Sequence, residues 1–182
     1  MPNQVRVAKV LAALLASMTT GAIVLMALGH NPPSAGPFSL WTYQRLSPVR
    51  NALSSEAPQS RARWNRIEIH YSGTQAGSIE QLASLHGLAR SEDINCHFCL
   101  CNGLGGDEGE IQPTARWKKQ LPADPSSTWR GTARTIRICL VADGRTAHPT
   151  DCQIKRLQVL VETLRERFDI ATDAIDYPSD WR

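Results

Sequence analysis

Hydrophobic and polar positions divide the chain into three regimes. The first is an unbroken apolar run, Val10 to Gly29 (VLAALLASMTTGAIVLMALG), with no charged residue in it. A helix of that length rises about 30 Å, the thickness of a bilayer core. The second, residues 30–62, has no sustained period and carries Pro32, Pro33, Pro37, Pro48 and Pro58. It reads as a linker, with a short helix expected near Val49–Leu53. The third, the folded unit, begins near Trp64 and is made of periodic segments separated by turns.

Within that third region Ile67, Ile69 and Tyr71 alternate with Glu68, His70 and Ser72, which is the two-residue period of a strand. Gly73 and Gly77 interrupt it. Ser78 followed by Gln81 is a capping-box pattern, and Ile79, Leu82, Ala83 and His86 then share one helical face. A strand is expected through INCHFCLCNG, residues 94–103, and a short return strand at Glu110–Gln112 after the turn-rich NGLGGDEG. Residues 118–133 are polar and irregular. Thr135–Val141 is a further strand with Ile136, Ile138 and Leu140 inward. Thr150 and Gln153 form a second capping box. The helix they open has a stripe of Ile154, Leu157, Val161, Leu164 and Phe168. Strand, helix, hairpin, strand, helix is an α/β order, solved by a sheet with helices packed on it.

Charge changes the reading of the two ends. Arg6 and Lys9 precede the apolar run, and no acidic residue occurs before Glu56. The positive-inside rule then leaves the N-terminus cytoplasmic and exports residues 31–182. The expected organisation is a cytoplasmic segment 1–9, a transmembrane anchor or signal segment 10–29, a linker 30–62 and a folded domain 63–182. The length favours an uncleaved anchor over a signal peptide, although Ala27-Leu28-Gly29 offers small residues spaced like a cleavage site. Cleavage would make the domain a secreted one. Without Arg6 and Lys9, 18 basic residues nearly balance 17 acidic ones, so no nucleic-acid partner is expected.

Cys96, His97, Cys99 and Cys101 concentrate candidate chemistry in six positions. Zinc would need two more ligands beyond Cys96-X-X-Cys99, and Cys139 and Cys152 do not form a second close pair. In a regular strand Cys96, Phe98 and Leu100 face one way, and His97, Cys99 and Cys101 the other. Three ligands at alternate positions would span roughly 13 Å, too far for one ion. Small apolar cysteines in a buried strand fit better, and a CXXC redox pair would more usually sit at a helix N-terminus. The glycine-rich NGLGGDEG lacks the Lys-Ser/Thr of a phosphate-binding loop, and Asp107, Glu108 and Glu110 lack EF-hand spacing. A solvated hairpin tip is expected there. Five cysteines cannot all pair within one chain.

Residues 64–177 resemble the type 2 N-acetylmuramoyl-L-alanine amidases and the related peptidoglycan recognition proteins. The resemblance runs through IEIHYSGT (67–74), LASLHGLA with His86, CHFCLCNG (96–103), GEI (109–111), ARW (115–117), IRICLVAD (136–143) and the PTDCQIKRLQVLVETL helix. It implies a mixed central β-sheet flanked by helices, holding a zinc ion that activates water against the muramoyl–L-alanine amide. His70 matches the first metal ligand. Tyr177 stands where a second, a histidine, is expected, and the chain stops at Arg182 before the third. Cys96 replaces the active-site tyrosine, and Asp124 lies near the lost internal histidine. Arg116 and Trp117 are candidate glycan or stem-peptide contacts.

The resulting expectation is a membrane-anchored amidase-like domain outside the cytoplasmic membrane. It binds peptidoglycan or a muropeptide, is impaired as a hydrolase, and needs no cofactor. Zn2+ enters only if His70, Cys96 and a C-terminal carboxylate such as Asp176 or Asp180 serve as substitute ligands. The remaining alternative is an anchored structural or partner-binding protein with no wall ligand.

Overall fold

The computed structural model describes residues 2–28, 48–124 and 131–181, with side chains in the first helix described at 6, 7 and 9–20. The chain divides into two compact units, one up to Thr42 and one from Tyr43 to Arg182. In the first, α1 (Pro2–Leu28) is one uninterrupted helix of 27 residues. Val10, Leu11, Leu14, Leu15 and Met18 all stand exposed on it. The hydroxyls of Ser17, Thr19 and Thr20 donate back to the carbonyls of Leu14, Leu15 and Ala16, so these three groups are satisfied within the helix. Among the described residues no helix is long and apolar enough to cross a membrane. The last part of the expected 10–29 segment lies outside the described side chains.

The second unit holds a five-stranded sheet in the order β3-β2-β4-β1-β5. Its strands are β1 (Arg66–Tyr71), β2 (Phe98–Asn102), β3 (Glu108–Pro113), β4 (Thr135–Leu140) and β5 (Ile175–Asp176). Only the β2–β3 hairpin is antiparallel; β1–β4, β2–β4 and β1–β5 are parallel. The α/β class and the mixed sheet flanked by helices are therefore as expected. Parallel pairing places β4 at the centre, where a strand must be apolar on both faces. Thr135–Leu140 meets that demand, with only Arg137 less than fully buried.

The helices are a short stretch α2 over 48–52, α3 (Ile79–Leu85), α4 (Ala115–Lys118) and α5 (Asp151–Phe168). Both capping boxes form: Ser78 with Gln81, and Thr150 with Gln153. Each satisfies two backbone donors that a helix start leaves unpaired. The α5 stripe buries Leu157, Leu160, Val161, Leu164 and Phe168 against Ile67, Ile69, Phe98, Leu100, Ile136, Ile138 and Leu140. Gln153, buried at the first turn, donates from Nε2 to the carbonyls of Leu100 (2.9 Å) and Val141 (3.2 Å). That bond seats α5 on the ends of β2 and β4. α3 lies over the other face of the sheet, where Leu82, Ile94 and Val141 close a smaller core with Cys96, Cys99 and Cys139.

Three expectations change. The linker does not extend to 62: Val49, Ala52 and Leu53 are buried in the main core with Trp64. A proline-rich stretch can still supply one amphipathic turn, and here the core needs it. His86 does not pack; it is the exposed C-cap of α3, because the helix ends before its apolar face reaches that position. The C-terminal segment adds a strand that no periodicity signalled, since β5 pairs with β1 over two residues only.

Candidate functional site

The face of the sheet under α3 collects the polar and sulfur-bearing side chains. In register across β1 and β4, Glu68 lies opposite Arg137 and His70 opposite Cys139; across β4 and β2, Cys139 lies opposite Cys99. Alternation along each strand then sets His70, Cys139 and Cys99 in one row. Glu68 accepts from Arg137 Nε at 3.1 Å, a pair of largely buried side chains.

Cys96 joins this row, which corrects the strand reading of residues 94–103. β2 begins only at Phe98, so the two-residue alternation does not extend back to Cys96. The preceding segment is tied to β4 instead. His97 N–H donates to Arg137 O (2.8 Å), Arg137 N–H donates to His97 Nδ1 (2.9 Å), and Arg137 Nη1 donates to Asn95 O (2.8 Å). Thr114 Oγ1 holds the Cys96 carbonyl at 2.7 Å. These bonds set Cys96 against Cys139, while Phe98 and Leu100 enter the opposite core.

The thiols interact as a group. Cys139 is acidified by hydrogen bonding with Cys96, then with Cys99 and His70. Cys96 is pushed up, first by its bond to Cys139 and then by burial. Cys99 is raised as well, first by Cys101, then by Cys139. All five cysteines are unpaired thiols.

His97 belongs to the scaffold. Its ring is fully buried, edge-on to Trp64 at 4.8 Å, with Nε2 donating to Leu121 O at 3.0 Å and Nδ1 accepting from Arg137. Burial, with the guanidinium groups of Arg116, Arg137 and Arg63 nearby, holds its pKa down to about 3.

No family model, curated protein or solved structure matches the chain.

The remaining sequence candidates do not converge on His70. Tyr177 lines a groove on the α5 side with Ile154, Leu157 and Val161, and stacks on Trp181 at 5.9 Å. That is the opposite face of the sheet. Asp176 holds Arg66 through two bonds of 2.6 and 2.9 Å. Asp180 accepts from the Tyr71 hydroxyl at 2.7 Å, which in turn accepts from Trp181 Nε1 at 2.6 Å. With burial and the Asp180 bond, the Tyr71 phenol is pushed up to about 12. His70 Nδ1 is buried without a hydrogen-bond partner. Among the described residues, however, no group of three or more His, Cys, Asp or Glu is arranged to hold a metal ion. Among the described residues, His70, Tyr177, Asp176 and Asp180 do not come together in the zinc site that the resemblance implies.

Arg116 and Trp117 also differ from expectation. Trp117 is wholly buried between Phe98 and Phe168, so its ring offers nothing to a ligand. Arg116 is spent internally on Ile94 O, Pro122 O and the Asp124 carboxylate. Asp124 itself is tied to Asn95 through its backbone. Arg116 thus braces the segment that delivers Cys96. The sulfur content of 96–101 pointed to this face, but only the parallel register shows that Cys139 is its centre.

Proposed function

We propose that the chain is a membrane-anchored, amidase-like domain that binds peptidoglycan or its fragments and is impaired as a hydrolase. The observation that carries the reading is the order in which its motifs fall on the fold. IEIHYSGT forms β1, CHFCLCNG leads into β2, GEI lies in β3, ARW opens α4, IRICLVAD runs through β4, and the DCQ helix is α5. His70 and Cys96, the positions matching a metal ligand and the active-site tyrosine, meet around Cys139 on one sheet face.

Impairment is supported by the state of those positions. Cys96 is 1% exposed and engaged with Cys139, so it presents no acidic hydroxyl to a tetrahedral intermediate. Tyr177 is turned to the α5 side. The anchor is supported by α1, whose exposed apolar side chains and self-satisfied hydroxyls suit a solvent that offers no hydrogen bonds. The domain would then lie outside the cytoplasmic membrane, tethered by residues 10–29.

The test is co-sedimentation of the full chain, in mild detergent, with purified sacculi at low and high salt. Retention at both, without release of stem peptides, is expected. Absence of retention would remove the wall ligand. Stoichiometric zinc lost on His70→Ala, together with stem-peptide release, would replace the reading with an active amidase built on substitute ligands.

A further inference from the structure

Three thiols packed on one sheet face are more than a structural core requires, since alanine or valine would fill the same space without reactive sulfur. Cys99 and Cys139 face each other directly across the β2–β4 ladder. Ladder strands run about 4.7–4.9 Å apart with parallel Cα–Cβ directions, whereas a disulfide needs Cβ atoms about 3.5–4.5 Å apart. Bridging that pair would pull the sheet together. Cys96 is free of this constraint. It precedes β2, outside the ladder, in the segment held by Arg137 and Thr114, and it packs in the same buried cluster as Cys139.

We propose that Cys96 and Cys139 form a reversible disulfide by exchange with an aliphatic disulfide. Cys139 is the point of attack, being 5% exposed against 1% for Cys96 and none for Cys99, and lying beside the half-buried His70. Its thiolate sulfur bonds to one sulfur of the incoming disulfide, and the other leaves with the electron pair as a thiolate. Cys96 then attacks Cys139 and expels the second thiolate. The two protein thiols are oxidised by two electrons in total. The incoming disulfide is reduced to two thiols, which take up the two protons that Cys96 and Cys139 release.

The bond ties the segment leading into β2 to the central strand β4. Cys101 packs against Gly106 at the hairpin tip, and Cys152 lies against Glu108 and Gly109. Neither takes part.

The experiment equilibrates the full chain in mild detergent with reduced and oxidised glutathione at set ratios. Remaining thiols are then trapped with an alkylating agent under denaturing conditions, and the digested peptides are mapped by mass spectrometry. The expected result is loss of two alkylatable thiols as the ratio becomes oxidising. It is accompanied by a peptide pair joined through Cys96 and Cys139, reversal on reduction, and an unchanged outcome in Cys152→Ser. Cys139→Ser should abolish the joined pair; the wild-type map stands alone if that variant does not fold. Five alkylated cysteines at every ratio, glutathione adducts without an internal bridge, or a bridge through Cys99 or Cys101 would each overturn the proposal.

Discussion

Acid should destabilise this domain through one residue, His97, by an amount that can be worked out. In the folded chain the ring is buried, and its Nδ1 accepts the Arg137 N–H at 2.9 Å. Protonation would turn that acceptor into a donor facing a donor, in a fully buried site. The folded pKa is accordingly held to about 3, chiefly by burial. An unfolded histidine titrates near 6.5. Between these values the unfolded chain binds a proton that the folded chain does not, so stability rises with pH. The contribution is present in full above about pH 6.5 and is lost as pH falls toward 3. At about 1.4 kcal/mol per pH unit, acidification to pH 4 removes roughly 3 kcal/mol through this residue alone. The assay is urea unfolding of the full chain in mild detergent at pH 7, 5.5 and 4, followed by tryptophan fluorescence. His97→Gln supplies an amide for Leu121 O and does not titrate. It should lose about 1–3 kcal/mol at pH 7 but show a pH dependence shallower than wild type by roughly 3 kcal/mol over the same interval. Carboxylate titration is common to both proteins and cancels in the difference. Parallel pH profiles would refute this role for His97 and place the acid sensitivity elsewhere.

Two further outcomes test the fold. Leu160→Ala, at a fully buried position of the α5 stripe, should cost about 2–5 kcal/mol by equilibrium unfolding, with an unchanged far-ultraviolet dichroism spectrum. Gly144 has φ +70°, and a Cβ there would sit 2.7 Å from Tyr71 Cε2, on a ring pinned by Asp180 and Trp181. Gly144→Ala should therefore cost about 2–4 kcal/mol, combining left-handed strain with overpacking, and should shift the Trp181 emission.

Elements that carry their own start signals were legible in the sequence. Ser78–Gln81 and Thr150–Gln153 announced α3 and α5 because a capping box is a local device. The alternation in Ile67–Tyr71 marked β1, since one of its faces is buried. What local pattern cannot show is pairing. Ile175–Asp176 is a strand because β1 offers it a free edge, and a two-residue strand has no period to detect. Val49 and Leu53 join the core across a proline-rich background for the same reason. At the site, the amino acids were visible and their neighbours were not. Alternation placed Cys96 with Phe98, whereas bonds from Arg137 and Thr114, residues far along the chain, place it with Cys139. Trp117 and Arg116 looked available for a ligand because sequence carries no measure of burial; packing consumes both.

The position of β4 has a consequence for synthesis of the chain. It is the only link between the β2–β3 hairpin and β1 within the sheet, and it is fourth in chain order. While the polypeptide emerges from the ribosome, β1 has no hydrogen-bonded neighbour until residues 135–140 appear. The hairpin can form before β4 arrives, but Cys99 then lacks the residue it faces across the ladder, Cys139. A nascent chain therefore passes through an interval in which its sheet is open and Cys99 has no cross-strand partner, and the arrival of one late strand ends both conditions together.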